Sequence, residues 1–195
     1  MAELSTILFL PGAGGSAHFW TPVAERLALP CMQLSWPGLG LEPHDPKLRS
    51  LEDHVTRVLE HATEPLDVVA QSMGGRIAIE VASRVPIRRL VLTATSAGVP
   101  MHGAEDWRAA YRAKFPRAQA WITEPQPDLS ARIATLDIPT LLLWGDRDPI
   151  SPVAVGERLR ELLPNAWLHV VRGGDHDLAV THADEVAAQI AQHLA

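Results

Sequence analysis

The sequence predicts an α/β fold: a three-layer sandwich in which helices cover both faces of a mostly parallel sheet. Two observations support this prediction. Short apolar runs alternate with helical patterns along the chain, and several of these runs are apolar almost throughout. Uninterrupted apolar runs are expected for strands that are covered on both faces. The 195 residues correspond to one domain, and their 47% hydrophobic content is sufficient for a large core.

Six apolar runs are predicted to form the strands, which gives a sheet of about six strands. In chain order they are Thr6–Leu10, Met32–Ser35, Leu66–Ala70, Arg89–Thr93, Thr140–Trp144 and Trp167–Val171. Helical patterns with recognisable start signals follow several of them. These begin at the capping-box sequence Ser50–Asp53, at Met73, at Ser151-Pro152 and at Thr181.

One segment interrupts this alternation. Residues 96–137 separate two predicted strands, and a connection of this length is usually functional. We predict a single domain over residues 1–195 with residues 96–137 as a short cap insertion. Within the cap, Glu105–Phe115 is predicted to be a helix that Pro116 ends.

Aromatic residues are candidates for lining a substrate pocket. Trp107, Tyr111 and Phe115 recur at every fourth position of the predicted cap helix and therefore share one face. This face either roofs an acyl pocket or attaches the helix to the rest of the domain. Trp36, just after the second predicted strand, is a further candidate, with core packing as the alternative. An apolar roof favours acyl or aromatic groups over charged ones.

Composition excludes several classes of function. With a formal net charge of −6, the protein is not expected to present the basic surface of a nucleic-acid-binding protein. No apolar run approaches the ~18 residues of a membrane helix, and no basic segment precedes the first apolar run as in a signal peptide. The single cysteine, Cys31, allows no internal disulfide and fits a reducing compartment. We therefore expect a cytoplasmic protein with no nucleic-acid or membrane partner.

The strongest local signal is the sequence Ala70-Gln71-Ser72-Met73-Gly74-Gly75, which follows an apolar run and opens a helix. A serine in such a sharp turn needs small residues two positions before and after it, and Ala70 and Gly74 meet that need. The turn presents the hydroxyl at the N-terminus of a helix, where N–H groups face a developing anion. Ser72 is therefore predicted to be a nucleophile; the alternative is a loop that only connects strand to helix.

A glycine-rich loop, Gly12-Ala13-Gly14-Gly15, follows the first predicted strand. It lacks the third glycine of a dinucleotide-binding fingerprint and the Lys-Ser/Thr of a phosphate-binding loop. Beside Ser72 it suits an oxyanion hole, in which the N–H of Ala13 joins the N–H of Met73.

Acidic residues and one histidine follow two later strands. Asp146 and Asp148 come after the fifth predicted strand, and His176 lies in the glycine-rich loop after the sixth. The alternative is that both aspartates only shape a turn, and one of them is expected to do only that. A metal site formed with Asp175 and Asp177 is a second alternative, but the spacing matches no established ligand pattern.

The order Ser72, Asp148, His176 is the order of serine, acid and histidine in α/β hydrolases. The chain resembles that superfamily over nearly its whole length. The elbow Ser72–Gly75 and the stretch Leu141–Pro149 are similar to those of small carboxylesterases and related lyases, C–C hydrolases and perhydrolases. The resemblance implies a minimal α/β-hydrolase fold without the usual first two strands, and it assigns the acid to Asp148. The loop after the first strand also resembles that of type II thioesterases.

The resulting hypothesis is hydrolysis of a small carboxylic ester or thioester through an acyl-enzyme. The substrate is a small-molecule acyl compound, and no metal or organic cofactor is required. Three alternatives stay open. They are thioesterase activity on carrier-bound acyl groups, use of the same residues for C–C cleavage, perhydrolysis or cyanohydrin cleavage, and a ligand-binding module that retains the fold without catalysis. The complete set of candidate residues argues against the last.

Overall fold

A computed structural model describes residues 5–101 and 106–195. Its centre is a six-stranded sheet in which all neighbouring strands are parallel. The strand order is β2-β1-β3-β4-β5-β6. The strands are β1 (Thr6–Leu10), β2 (Cys31–Gln33), β3 (Leu66–Gln71), β4 (Arg89–Thr93), β5 (Thr140–Gly145) and β6 (Ala166–Val171). The predicted fold class and the number of strands are confirmed.

The second strand is shorter than predicted. We expected Met32–Ser35, but β2 begins one residue earlier and ends at Gln33. The chain turns away after this edge strand, because the N–H of Trp36 donates to the carbonyl of Gly15 in the glycine-rich loop rather than to a neighbouring strand. This turn brings the segment after β2 against the loop after β1.

Both faces of the sheet are largely buried along β1, β3, β4 and β5, which explains the nearly uniform apolar runs of these strands, whereas the edge strands β2 and β6 are partly exposed. Alternate residues of a strand point to opposite faces. In β3, Val68 and Ala70 belong to one hydrophobic core and Val69 to the other; in β4, Leu92 and Val91 divide in the same way. One core is covered by α2 (Leu51–Leu59), α3 (Met73–Ala82) and α6 (Val153–Leu162), and the other by α1 (Thr21–Leu27), α7 (Leu178–Thr181) and α8 (Ala183–Leu194).

Two of the four predicted helix starts are accurate, those at Ser50 and Met73, whereas Thr181 ends α7 and the last helix, α8, has His182 as its N-cap. The predicted capping box is present at α2, where the Ser50 hydroxyl accepts from the Asp53 N–H and the Asp53 carboxylate accepts from the Ser50 N–H. The start of α6 differs, because Pro152 and not Ser151 is its N-cap. The Ser151 N–H donates to the carboxylate of Asp148 instead, at 2.9 Å.

The described residues of the segment 96–137 form three short elements. They are α4 (Trp107–Lys114), a 3₁₀ turn (Ala120–Thr123) and α5 (Ser130–Ile133). The predicted cap helix corresponds to α4; its predicted first residue, Glu105, lies outside the described residues. Within the described part of the chain, no helix has the length and hydropathy needed to cross a membrane.

Candidate active site

Ser72 lies in a sharp turn between β3 and α3. Its backbone has φ 52° and ψ −122°, a conformation that residues other than glycine rarely adopt and that neighbouring structure must enforce. The Ser72 N–H donates to the carbonyl of Thr93 on β4 at 3.0 Å, which ties the turn to the sheet. A Cβ at Gly74 would lie 2.5 Å from the Pro11 carbonyl oxygen, so a larger residue does not fit at this position.

His176 connects Ser72 to Asp148 through hydrogen bonds. Its Nε2 lies 3.0 Å from the Ser72 Oγ, and its Nδ1 lies 2.8 Å from an Asp148 carboxylate oxygen. The carboxylate only accepts, so Nδ1 carries the proton and Nε2 is free to accept from the serine. Strands β3, β5 and β6 place these residues at their carboxyl ends, where parallel sheets hold their ligand sites.

Asp148 is rigidly held. The side chain is fully buried, and its other carboxylate oxygen accepts from the N–H groups of Ile150 and Ser151 at 2.8 and 2.9 Å. Asp146, two residues earlier, is exposed and accepts from the N–H of Gly173. Asp146 therefore links the loop after β5 to the loop after β6. This is the turn-shaping role expected of one of the two aspartates.

The N–H groups of Ala13 and Met73 are candidates for an oxyanion hole. Met73 is the first residue of α3, where N–H groups have no acceptor within the helix. The Ala13 N–H makes no hydrogen bond to any other residue that the structure describes. Both residues line the same cleft as Ser72. The N-terminus of α3 adds a positive potential at this point.

The phenol of Tyr111 joins α4 to the glycine-rich loop. Its Oη donates to the Ala13 carbonyl at 2.8 Å and accepts from the Gly40 N–H at 3.2 Å. Burial raises the pKa of this phenol, which keeps it protonated and able to donate. The cap helix is thus bonded directly to the residue that carries one predicted oxyanion donor.

A cleft of about 850 Å³ opens beside Ser72 and His176. Three of the four predicted pocket residues line it: Trp107, Tyr111 and Phe115. Their rings form a continuous row, with centroids 5.6 and 5.0 Å apart. Trp36, the fourth, is not among the lining residues. It is fully buried beside His54, and its indole N–H donates to the Pro11 carbonyl, so the prediction for Trp36 is wrong and the core-packing alternative holds.

Two residues at this site escaped the sequence analysis. Gln71 is buried, and its amide donates to the backbone carbonyl of His176 at 3.2 Å, which holds the histidine loop against β3. Arg76 lies one turn into α3, lines the cleft and is only 9% exposed. Gln71 lies within the elbow motif and Arg76 directly follows it. The contact of Gln71 with His176 and that of Arg76 with the Pro127 carbonyl are not local in sequence, so motif spacing gave no signal for them.

The metal alternative gains no support from the geometry. In the two described stretches of the chain, no group of three or more His, Cys, Asp or Glu side chains is arranged to hold an ion. Asp148 and His176 are bonded to each other, and Asp146 is directed at Gly173.

Comparison with known proteins agrees with this arrangement. A family model described as the alpha/beta hydrolase family matches residues 7–131, and a second, described as alpha/beta hydrolase fold, matches residues 117–183. The chain belongs to the α/β-hydrolase family. The resemblance inferred from the elbow and from the order of the candidate residues is confirmed, and with it the prediction of an enzyme of the hydrolase class.

The relatives and structural neighbours of this α/β hydrolase are named for different activities. A pimeloyl-[acyl-carrier protein] methyl ester esterase of Neisseria meningitidis is 26% identical, over 93% of this chain and 90% of the relative. Two solved structures share the fold. A meta-cleavage product hydrolase of Pseudomonas fluorescens (TM-score 0.79, 20% identity) covers 98% of this chain and 91% of its own. A bromoperoxidase of Bacillus anthracis (TM-score 0.81, 16% identity) covers 98% and 92%.

Proposed function

We propose that this α/β hydrolase cleaves a small carboxylic ester through an acyl-enzyme formed on Ser72. The observation that carries the proposal is the hydrogen-bonded chain from Asp148 through His176 to Ser72 at the wall of an open cleft. A nucleophile within hydrogen-bond reach of a base, which is itself oriented by a third group, is the arrangement required for nucleophilic catalysis.

In the proposed acylation step, the Ser72 Oγ attacks the ester carbonyl carbon while His176 Nε2 takes the hydroxyl proton. Asp148 holds the imidazole in the tautomer that leaves Nε2 unprotonated, and it stabilises the imidazolium that forms. The tetrahedral intermediate then collapses. The bond to the alkoxy group breaks, and His176 returns its proton to the departing alcohol.

Deacylation repeats the same steps with water. His176 takes a proton from water, the resulting hydroxide equivalent attacks the acyl carbon, and Ser72 leaves with its proton restored. In both steps the carbonyl oxygen becomes an anion. The N–H groups of Ala13 and Met73 are proposed to bind it, and each such donor contributes on the order of 3 kcal/mol to transition-state stabilisation. Apart from the ester and water, no step as written requires a group that the protein does not supply.

Ester hydrolysis is favoured over the other reactions by a relative that aligns with nearly the whole chain and is named as a methyl ester esterase. The meta-cleavage hydrolase and bromoperoxidase share only the fold at 20% identity or less, so their reactions have weaker support here.

Replacement of the nucleophile tests this proposal. Hydrolysis of p-nitrophenyl acetate by wild type, Ser72→Ala and a matched control, Ser83→Ala, is to be compared. Ser83 caps the far end of α3, its hydroxyl donates to the Ile79 carbonyl, and it does not line the cleft, so its replacement should leave the cleft intact. We expect Ser72→Ala to lose at least roughly 10³-fold in kcat and Ser83→Ala to keep wild-type turnover. Full ester turnover by Ser72→Ala would contradict the assignment.

A substrate panel separates the proposed reaction from its alternatives. The panel comprises short-chain esters, acyl-pantetheine thioesters, a meta-cleavage dienone and peracid formation from acetate and hydrogen peroxide. The proposal expects the largest kcat/KM with the esters. A kcat/KM at least tenfold larger for any other member would replace ester hydrolysis by that reaction.

A further inference from the structure

Arg76 is the one buried charged side chain among the described residues that line the cleft. The other charged lining residues are exposed or half-exposed: His18, Asp106, Arg108, Lys114, Glu124, Asp128, His176 and Asp177. Water screens exposed charges strongly, whereas a buried charge interacts at a lower effective dielectric. Arg76 therefore dominates the electrostatics of its end of the cleft.

The guanidinium of Arg76 is incompletely compensated. Its Nη1 donates to the Pro127 carbonyl at 3.0 Å, and its Nε is buried without an acceptor among the described residues. No described carboxylate lies within salt-bridge distance of it. Glu80, one turn further along α3, is bonded instead to Arg132 and lies 3.7 Å from Arg84. Arg84 is bonded mainly to Glu52, so Glu52 and Glu80 are paired with Arg84 and Arg132, and no described carboxylate is paired with Arg76.

Burial of this kind is costly unless an anion offsets it. Desolvation lowers the pKa of Arg76, and Glu80 opposes this effect only in part. An arginine nevertheless stays charged in proteins. A buried cation without a paired carboxylate, at the wall of a cleft beside a nucleophile, has the properties of a binding site for an anionic part of the substrate.

The position of Arg76 relative to Ser72 allows a single substrate to reach both residues. Arg76 is four residues after Ser72 on α3, so its Cα lies about 6 Å further along the helix axis. Helical side chains lean towards the helix N-terminus, which brings the guanidinium towards the elbow. A substrate whose ester carbonyl meets Ser72 would extend a short chain towards Arg76.

We propose that Arg76 binds a carboxylate at the far end of the acyl group, so that the substrate class is the monoester of a short dicarboxylic acid. This inference rests on the proposed ester hydrolysis and names its substrate. The reaction is balanced: water and the monoester give the diacid and the alcohol. It modifies the sequence-based expectation of a pocket that favours uncharged groups, because the aromatic row lines only one part of the cleft.

The test compares monomethyl and dimethyl esters of succinic, glutaric and adipic acid. Each pair differs only in the charge at the far end. Wild type is expected to prefer at least one monomethyl ester over its dimethyl partner by roughly 10- to 100-fold in kcat/KM, the range for hydrogen bonds to a charged group. Arg76→Met should reduce that preference at least tenfold, mainly through KM, and Arg76→Lys should restore part of it.

A neighbouring arginine supplies the matched control. Arg132 is bonded to Glu80, is exposed and does not line the cleft. Arg132→Met should keep the wild-type preference. If Arg76→Met lowered kcat/KM equally for the monomethyl and the dimethyl ester of each pair, the role of Arg76 would be structural and the proposal would be overturned. A wild type without any preference for the monoesters would also overturn it.

A binding measurement distinguishes failure of this inference from failure of the proposed reaction. Ser72→Ala is titrated with monomethyl glutarate and dimethyl glutarate, and the change in intrinsic tryptophan fluorescence is recorded; two of the six tryptophans, Trp107 and Trp121, line the cleft. Tighter binding of the monoester, lost in Ser72→Ala/Arg76→Met, supports the carboxylate site whether or not the wild type hydrolyses esters. Equal affinity for the two compounds would refute it even if ester hydrolysis is observed.

Discussion

Asp146 and Asp148 lie in the same loop, yet their side chains have different partners. Asp148 is buried and bonded to His176, Ile150 and Ser151. Asp146 is exposed and bonded to the N–H of Gly173. Sequence alone left both as candidates, and the resemblance to known hydrolases selected Asp148. The hydrogen bonds now give a physical reason for that choice.

The pair allows a matched test at the residue scale. Asp148→Asn should reduce kcat for ester hydrolysis on the order of 10³- to 10⁴-fold, because an amide supports the wrong histidine tautomer and cannot stabilise the imidazolium. Asp146→Asn should change kcat only a few-fold, since an amide oxygen can still accept from Gly173. Steady-state kinetics of both variants measure the difference. The opposite ranking would move the acid role to Asp146.

At the scale of secondary structure, α4 is both a lining element and a support. Tyr111 contributes its ring to the aromatic row and its hydroxyl to Ala13 and Gly40. The two alternatives considered for this face, roof and attachment, are therefore compatible. The same residue does both, because ring and hydroxyl point to different neighbours.

Tyr111→Phe isolates the hydroxyl, since it keeps the ring. Its loss leaves the Ala13 carbonyl and the Gly40 N–H without their partner, which should lower the free energy of unfolding by about 1–2 kcal/mol. We expect kcat to fall several-fold with KM nearly unchanged, because the oxyanion loop is less well fixed. Urea unfolding and steady-state kinetics are the measurements. Unaltered kcat together with reduced stability would leave Tyr111 a purely structural residue.

Elements with strong local constraints could be predicted from the sequence. The elbow is one, because Ser72 needs small neighbours and the contact of Gly74 with the Pro11 carbonyl forbids a side chain. The α2 capping box is another, since both of its hydrogen bonds join residues three apart. The central strands are a third, as burial on both faces requires apolar residues throughout.

Features that depend on distant contacts could not be predicted. The helices α1 and α5 are short, with seven and four residues, and packing rather than local pattern stabilises them. Trp36 looked like a pocket residue from its place after a strand, but its orientation is set by Pro11, 25 positions away. The contact of Arg76 with Pro127 joins residues 51 positions apart, and no local spacing reveals it.

At the scale of the whole molecule, a buried histidine makes stability depend on pH. His54 is fully buried between Trp36 and Trp121, and neither ring nitrogen has a partner among the described residues. Burial lowers its pKa to about 4, against 6.5 for the free side chain. The unfolded chain therefore binds more protons than the folded one between these two values, and stability falls as the pH decreases through this window.

The expected loss from His54 is about 3 kcal/mol between pH 6.5 and pH 4. Burial also lowers the pKa of His193, which adds a loss of the same sign. Chemical unfolding across this range measures the effect, and His54→Leu is the control. In His54→Leu, the free energy of unfolding should depend much less on pH between 6.5 and 4 than it does in the wild type. Parallel profiles for wild type and His54→Leu would show that this histidine is already protonated or solvated in the folded protein.

The chain is also shorter than the methyl ester esterase of Neisseria meningitidis. The alignment to the methyl ester esterase spans 235 positions, more than the 195 residues here, so the relative contains segments that this chain lacks. The candidate residues nonetheless depend only on the ends of β1, β3, β5 and β6 and on the start of α3. A compact chain retains them because parallel strands bring their carboxyl ends to one edge.

The central claim is that Ser72 is the nucleophile, and covalent labelling tests it most directly. The protein is treated with a fluorophosphonate, and the adduct is located by peptide mass spectrometry. The account predicts a single adduct on Ser72, formed slowly or not at all in His176→Ala. An enzyme that hydrolyses esters while its adduct lies on another residue, or while Ser72 stays unlabelled, would contradict it.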